Sequence, residues 1–136
     1  LFYGMLNVRR QKIVDDLRAA GLNVTAVTGV YGAKRDGMIS RSKVVLNMHF
    51  YETQIFEIAR VSYLLANKKA VVSEIGENTQ IDPDLLNCIQ PSTYEDLVET
   101  CKSLVADTPR RQELANRGYE IFRNMKQSEY LKHVLH

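Results

Sequence analysis

Residues whose types and spacing could do chemistry fall in four places along this chain. Gly4, Asn7, Arg9 and Arg10 come first. A glycine lets backbone approach a ligand closely, and the two cations sit at the start of a helix whose free N–H groups favour anions. A pyrophosphate suits such a place; a solvated arginine pair on an exposed first turn is the competing reading, and the residues leave both open. Glu57 lies on the row Glu57, Val61, Leu64, on a mostly apolar face near a helix start. A carboxylate there either accepts hydrogen bonds from a ribose diol in a crevice or forms a weak intrahelical salt bridge with Arg60, three residues on. His49 closes an apolar strand, where its ring could donate to a sugar or phosphate or simply pack. Ser73 and Glu74 end another strand and could add hydroxyl and carboxylate contacts, although a turn near Gly76 explains them equally well.

Several chemistries are excluded by what is missing. Neither Gly-x-x-x-x-Gly-Lys-Ser/Thr nor Gly-x-Gly-x-x-Gly occurs, which argues against a P-loop ATPase or a dinucleotide enzyme of the usual kind. The nucleophile elbow Gly-x-Ser-x-Gly is absent, and neither Cys88 nor Cys101 sits in a loop with an obvious base. His133 and His136 lack a carboxylate or cysteine at ligand spacing, so no metal is expected.

The elements that must position these residues alternate. Leu1 to Gly4 reads as a short strand, followed by a helix capped by Asn7, with Ile13, Val14, Leu17 and Ala20 at helical spacing and a stop at Gly21. Leu22 to Gly29 reads as a second strand. Val30 to Ser42 is polar and carries Gly32 and Gly37, so any helix there is expected to be short. Lys43 to Phe50 is a third strand. The segment from Thr53 to about Asn67 is the strongest helix, with Ile55, Ile58, Ala59, Val61, Ser62 and Leu65 at a 3.6 period and Lys68 and Lys69 opposing the end of its dipole. Ala70 to Ser73 and Cys88 to Gln90 are short strands. Ser92 to Glu95 reads as a capping box for the next helix, and Thr108-Pro109 opens the last one.

Strands alternating with helices in near-continuous apolar runs predict an α/β fold: a Rossmann-like open parallel sheet of about five strands with helices on both faces. The expected spatial order is 2-1-3-4-5. Ligands then bind beyond the carboxyl ends of the strands where the winding reverses, between the loops Gly4 to Arg10 and His49 to Phe56. No repeat or linker divides residues 1–136, so one domain is expected, with 109–136 a terminal helical segment whose stretch Lys126 to His136 could pack on a further domain.

Composition is that of an ordinary globular domain: 136 residues, 45% apolar, 25% charged. A net charge of +2 is far short of the basic stripe that nucleic acid would require. No apolar run is long enough to span a bilayer. Two unpatterned cysteines read as free thiols in a cytoplasmic setting, and the opening on Leu1 suggests a natural protein cut just upstream.

The stretch Ile55-Phe56-Glu57-Ile58 through Ala66-Asn67-Lys68-Lys69-Ala70-Val71-Val72-Ser73-Glu74 resembles the nucleotide-sugar-binding C-terminal half of bacterial-type GT-B glycosyltransferases. The ending Thr108-Pro109-Arg110-Arg111-Gln112-Glu113-Leu114-Ala115-Asn116-Arg117-Gly118-Tyr119 is similar to that family's closing helices, especially in relatives like spore-maturation glycosyltransferases. The resemblance implies that Glu57 binds the donor's ribose and that Arg9 and Arg10 hold its diphosphate. It also implies transfer without a metal or other cofactor, to an acceptor held by an N-terminal domain not contained here. The first glutamate of the family's Glu-x7-Glu motif falls on His49, and one of its two diphosphate-binding cations falls on Met5. A catalytically degenerate nucleotide-binding or protein-interaction module would carry the same departures. A receiver-type regulatory module is disfavoured, because the first and third strands end in Gly4 and His49 instead of acidic residues.

Overall fold

The computed structural model describes residues 1–50 and 56–125. Expectations that fall on Tyr51 to Ile55 and on Lys126 to His136, including the C-terminal packing segment and the two late histidines, lie outside the described residues.

The chain is α/β, with parallel strands and six helices among the described residues. In order they are β1 (Phe2–Tyr3), α1 (Val8–Ala19), β2 (Ala26–Val27), α2 (Gly32–Arg41), β3 (Val44–Asn47), α3 (Ile58–Ala66), β4 (Ala70–Glu74), α4 (Pro83–Leu86), β5 (Gln90–Ser92), α5 (Leu97–Ala106) and α6 (Thr108–Asn124). The strands form two small sheets instead of the single five-stranded one expected. One pairs β1 with β2, Phe2 opposite Ala26. The other runs β3-β4-β5, with Val44 opposite Ala70 and Val72 opposite Gln90. At the seam the Leu1 amino group donates to Val44 O at 2.9 Å, and Leu46 N–H donates to Leu1 O at 2.9 Å.

Side-chain alternation along β3 and β4 divides the core in two. Val44, Leu46, Ala70 and Val72 face α1 and α5, packing with Ile13, Val14, Leu17, Leu97 and Leu104. Val45 and Val71 face the other way, against Ile39 of α2 and Val61, Leu64 and Leu65 of α3. Helices therefore cover both faces, as near-continuous apolar strands require.

Several boundaries differ from the sequence expectation, each for a local reason. The second strand is two residues, not eight, and α2 runs for ten residues despite two glycines, anchored by the buried Ile39. The helix read from Thr53 is described from Ile58; it buries Val61, Leu64 and Leu65 while Ile58 and Ala59 are exposed. It ends in a Schellman motif, Lys69 N–H to Leu64 O and Lys68 N–H to Leu65 O, with Lys68 at φ 54, the left-handed conformation usually left to glycine. Lys69 does not serve its own helix: its ammonium donates to Ser40 O and Ser42 O at the end of α2. The cap before α5 is Thr93 with Asp96, not Ser92 with Glu95, because Ser92 is held in β5 and its hydroxyl accepts from Thr100. Cys88 lies in the turn before β5, which begins at Gln90 and tolerates Pro91 as an edge strand does. The short α4, capped by Asp82, was not foreseen.

Both cysteines are free and buried. Burial pushes the Cys88 thiol up to about 11 and the Cys101 thiol up to about 12. Neither is expected to react with a maleimide at neutral pH in the folded protein, and both should react on unfolding. From an unfolded value of 9.0 toward 11, the unfolded chain sheds thiol protons that the folded one keeps, so stability should fall as pH rises through that window. A urea titration repeated up the alkaline range, on the wild type and on Cys101→Ser, checks the sign.

Candidate functional site

The carboxyl ends of β1, β3 and β4 converge on the first turn of α1. Asn7 caps that helix, its Oδ1 accepting from Arg10 N–H at 2.9 Å. Its Nδ2 donates to Phe50 O at 2.6 Å. Arg9 donates to His49 O at 3.1 Å, and Arg10 to Met48 O at 2.6 Å. The three consecutive carbonyls that follow β3 are therefore each held by a different residue of one helical turn. Those carbonyls have left the β-ladder and need donors once buried. Nothing in the local sequence announces this clamp, which joins residues about forty positions apart.

Arg9 and Arg10 are thus neither a solvated pair nor a pair of idle cations. Arg9 makes a two-pronged ion pair with Glu74, Nη1 to Oε1 at 2.6 Å and Nη2 to Oε2 at 2.5 Å, and lies 4.1 Å over the Tyr94 ring. Tyr94 in turn donates to Arg9 O. Arg10 is only 2% exposed; besides Met48 O it donates to Met5 O at 2.7 Å and to Glu57 Oε1 at 2.9 Å, with Phe2 and Phe50 flanking its guanidinium. Burial lowers the Arg10 pKa, and Glu57 opposes that shift.

Glu57 occupies the N-cap position of α3, just outside the helix, and makes no side-chain capping bond. Its carboxylate is shared: Oε1 holds Arg10, and Oε2 lies 3.0 Å from Arg60 Nη1. The intrahelical partner anticipated from spacing is present, together with one that spacing could not show. At 31% side-chain exposure the carboxylate still faces solvent.

Gly4 has φ 143, and a Cβ there would come within 3.0 Å of Arg60 Nη2, so the arginine head lies directly on the glycine backbone. His49 is packed inside, 1% exposed, with Nε2 3.3 Å from Thr79 Oγ1 and 3.8 Å from Glu74 Oε2. Buried so, the ring is not open to a substrate in this arrangement. Ser73 is also buried and accepts from Asn47 Nδ2 at 3.0 Å. Glu74, with both oxygens on Arg9, closes the end of β4.

Among the described residues, the buried side-chain polar atoms without a hydrogen-bond partner are Arg10 Nε, Asn47 Oδ1 and Arg60 Nη1. The Arg60–Glu57 contact is close enough for an ion pair but too poorly aligned for a hydrogen bond. Arg10 and Arg60 flank Glu57, and Asn47 is the last residue of β3, bonded to Ser73. An open depression of about 500 Å³ flanks the outer side of the α1 first turn, lined by Leu6, Asn7, Val8, Gln11 and Lys12; it includes neither Glu57 nor Arg60. No group of three or more His, Cys, Asp or Glu able to hold a metal occurs among the described residues, and no helix there is long and apolar enough to cross a membrane.

The site can be set beside known proteins only narrowly. No family model matches the chain. A stretch of 75 residues, 54% of the chain, is 35% identical to the uncharacterized protein L138 of Acanthamoeba polyphaga mimivirus. That match spans 8% of the viral protein's length.

Proposed function

We propose that this chain is the donor-binding half of a GT-B-type glycosyltransferase, taking a nucleoside diphosphate sugar at the carboxyl ends of β1 and β3. The observation that carries the reading is the partly exposed Glu57 carboxylate held between Arg10 and Arg60 at that edge, which suits a ligand with hydroxyl donors and an anionic group. A nucleoside diphosphate sugar brings both. The seam hydrogen bonds between Leu1 and β3 support a five-strand order of 2-1-3-4-5, which puts this edge at the reversal of winding.

In this reading Glu57 accepts from the ribose hydroxyls while Arg10 and Arg60 hold it in place. Arg9 and Arg10, spent on the carbonyl clamp and on carboxylates, act on the diphosphate by their charge more than by direct hydrogen bonds. Transfer breaks the bond from the anomeric carbon to the β-phosphate oxygen, which leaves with the nucleoside diphosphate. The acceptor oxygen forms the new bond, and its proton passes to a base outside the described contacts. The acceptor comes from a further domain. Self-satisfaction of Arg9 by Glu74 favours the second reading, a module that retains the fold and binds nucleotide or a protein partner without catalysis.

Glu57→Gln keeps the acceptor for Arg10 and removes the charge, so it tests the ribose contact without emptying the position. Affinity for the bound nucleoside diphosphate should fall about tenfold, and discrimination against its 2′,3′-dideoxy analogue should disappear. Equal binding of the dideoxy analogue by the wild type would remove Glu57 from the ribose.

A further inference from the structure

Cations are distributed unevenly between the two edges of the sheets. At the carboxyl ends each arginine meets a glutamate, Arg9 on Glu74 and both Arg10 and Arg60 on Glu57. The amino ends differ. Arg41 closes α2, Lys43 precedes β3, and Lys68 and Lys69 precede β4. Arg110 and Arg111, in the first turn of α6, reach Gln90 at the start of β5 and the last turn of α5 at Leu104 O and Val105 O. Among the described residues, none of these six has a carboxylate in ion-pair range. On α2, α4 and α6 and their caps, Asp36 is held by Arg35 and Tyr63, Asp82 caps α4, Asp107 caps α6 and Glu113 holds Arg117. Asp84 and Glu120 then remain against the six cations. Compensation of helix dipoles does not use up that surplus. Each helix C-terminus carries about half a negative charge, and three helices, α2, α3 and α5, end here. Arg110 and Arg111 stand at a helix N-terminus, where the dipole opposes them.

We infer that the amino-end edge docks on an anionic lipid bilayer, with acidic head groups set against these six cations. The six come from the ends of successive elements, so their charge is spread across an edge instead of running along one helix or one groove. Spread charge suits the plane of a bilayer, which attracts each basic residue near its surface, whereas a phosphate backbone calls for a continuous basic track. Arg41, Lys43 and Lys68 are exposed and ready for such contact. Tyr119, whose ring lies 4.5 Å from the Lys68 ammonium, joins an apolar body to a polar tip, as side chains at a membrane interface do. The inference stands apart from the donor reading, whose site lies at the opposite, carboxyl-end edge.

Co-sedimentation of the 136-residue chain with lipid vesicles tests it. The vesicles are phosphatidylcholine alone or phosphatidylcholine with phosphatidylserine, at low and at raised salt, and a labelled RNA duplex serves as the competing polyanion. Arg41→Glu with Lys43→Glu reverses two exposed cations of the edge. Lys12→Glu with Lys34→Glu makes the same change in net charge elsewhere, on α1 and in the first turn of α2. Thermal melts confirm that each variant is folded. The expected result is wild-type binding that requires phosphatidylserine and weakens with salt. It should fall at least about tenfold in the Arg41, Lys43 variant, from roughly fivefold for each charge, and clearly less in the Lys12, Lys34 variant. No binding of the wild type to phosphatidylserine vesicles overturns the inference, as does undiminished binding by the Arg41, Lys43 variant. Equal loss in the two variants also overturns it, because overall charge would then be the cause. Binding to the duplex without binding to the vesicles overturns it as well and assigns the edge to nucleic acid.

Discussion

Arg9→Ala is expected to destabilise the protein by about 3 kcal/mol, because it strands the carboxylate of Glu74. Glu74 is 3% exposed in its side chain, and Arg9 supplies both of its close ion-pair contacts. What remains is a long contact from His49 N–H at 3.4 Å and the more distant His49 ring. The same substitution releases His49 O from the clamp and removes the guanidinium from the Tyr94 ring. Removing the other partner is a different perturbation. Glu74→Gln leaves a neutral group of the same shape, and Arg9, at 21% side-chain exposure, can turn its charge toward water. It should therefore cost less than Arg9→Ala, and the double substitution Arg9→Met with Glu74→Gln should be more stable than Arg9→Ala alone. Urea unfolding of the wild type and the three variants checks that order. A loss in Arg9→Ala no larger than an exposed ion pair gives, below about 1 kcal/mol, would mean that Glu74 finds other partners.

Gly118→Ala is expected to lower stability by about 1–3 kcal/mol, although alanine is the better helix former by roughly 1 kcal/mol. Gly118 sits inside α6 where that helix crosses the turn before β5. A Cβ there would meet Cys88 O at 2.7 Å and Leu65 Cδ2 at 3.0 Å. The carbonyl is backbone and cannot yield cheaply, so α6 must lift from α3 and α4. Gly37→Ala is the control: its Cβ would meet only the mobile end of Arg41, at 3.2 Å, so the propensity gain should survive and α2 should stabilise by up to about 1 kcal/mol. Opposite signs for two helical glycines, read from thermal melts, are the expected outcome. A stabilised Gly118→Ala would show that the α6 contact is loose.

What local sequence carries and what it does not can be seen at these same residues. Asn7 as a cap, the apolar row Ile13, Val14 and Leu17, and the buried faces of β3 and β4 follow from residue type and period, because each is decided within one element. The α/β class follows from their alternation. The extent of the sheets does not, since β1 and β2 pair over only two residues and pairing length is set between segments distant in sequence. The cap was read at Ser92 from residue type; the pairing of β5 with β4 holds Ser92 in the strand, and Thr93 accepts from Asp96 N–H instead. At the site, Glu57 and Arg60 were visible as an i, i+3 pair, whereas the capture of Glu57 by Arg10 and of three successive carbonyls by one helical turn was not. His49 looked available at the end of a strand, and tertiary packing buried it. Spacing showed Arg60 as a partner of Glu57, but not that its head lies against Gly4, which is distant in sequence.

The most direct measurement is an amide chemical-shift titration of the folded chain with UDP, GDP, ADP and CMP. Binding at the proposed site should give saturable shifts for one of them, clustered at Gly4, Asn7, Glu57 and Arg60 and nearly absent from α6. No shifts with any of the four, in a protein whose spectrum shows it folded, or shifts confined to residues far from the ends of β1 and β3, would contradict the donor-site reading.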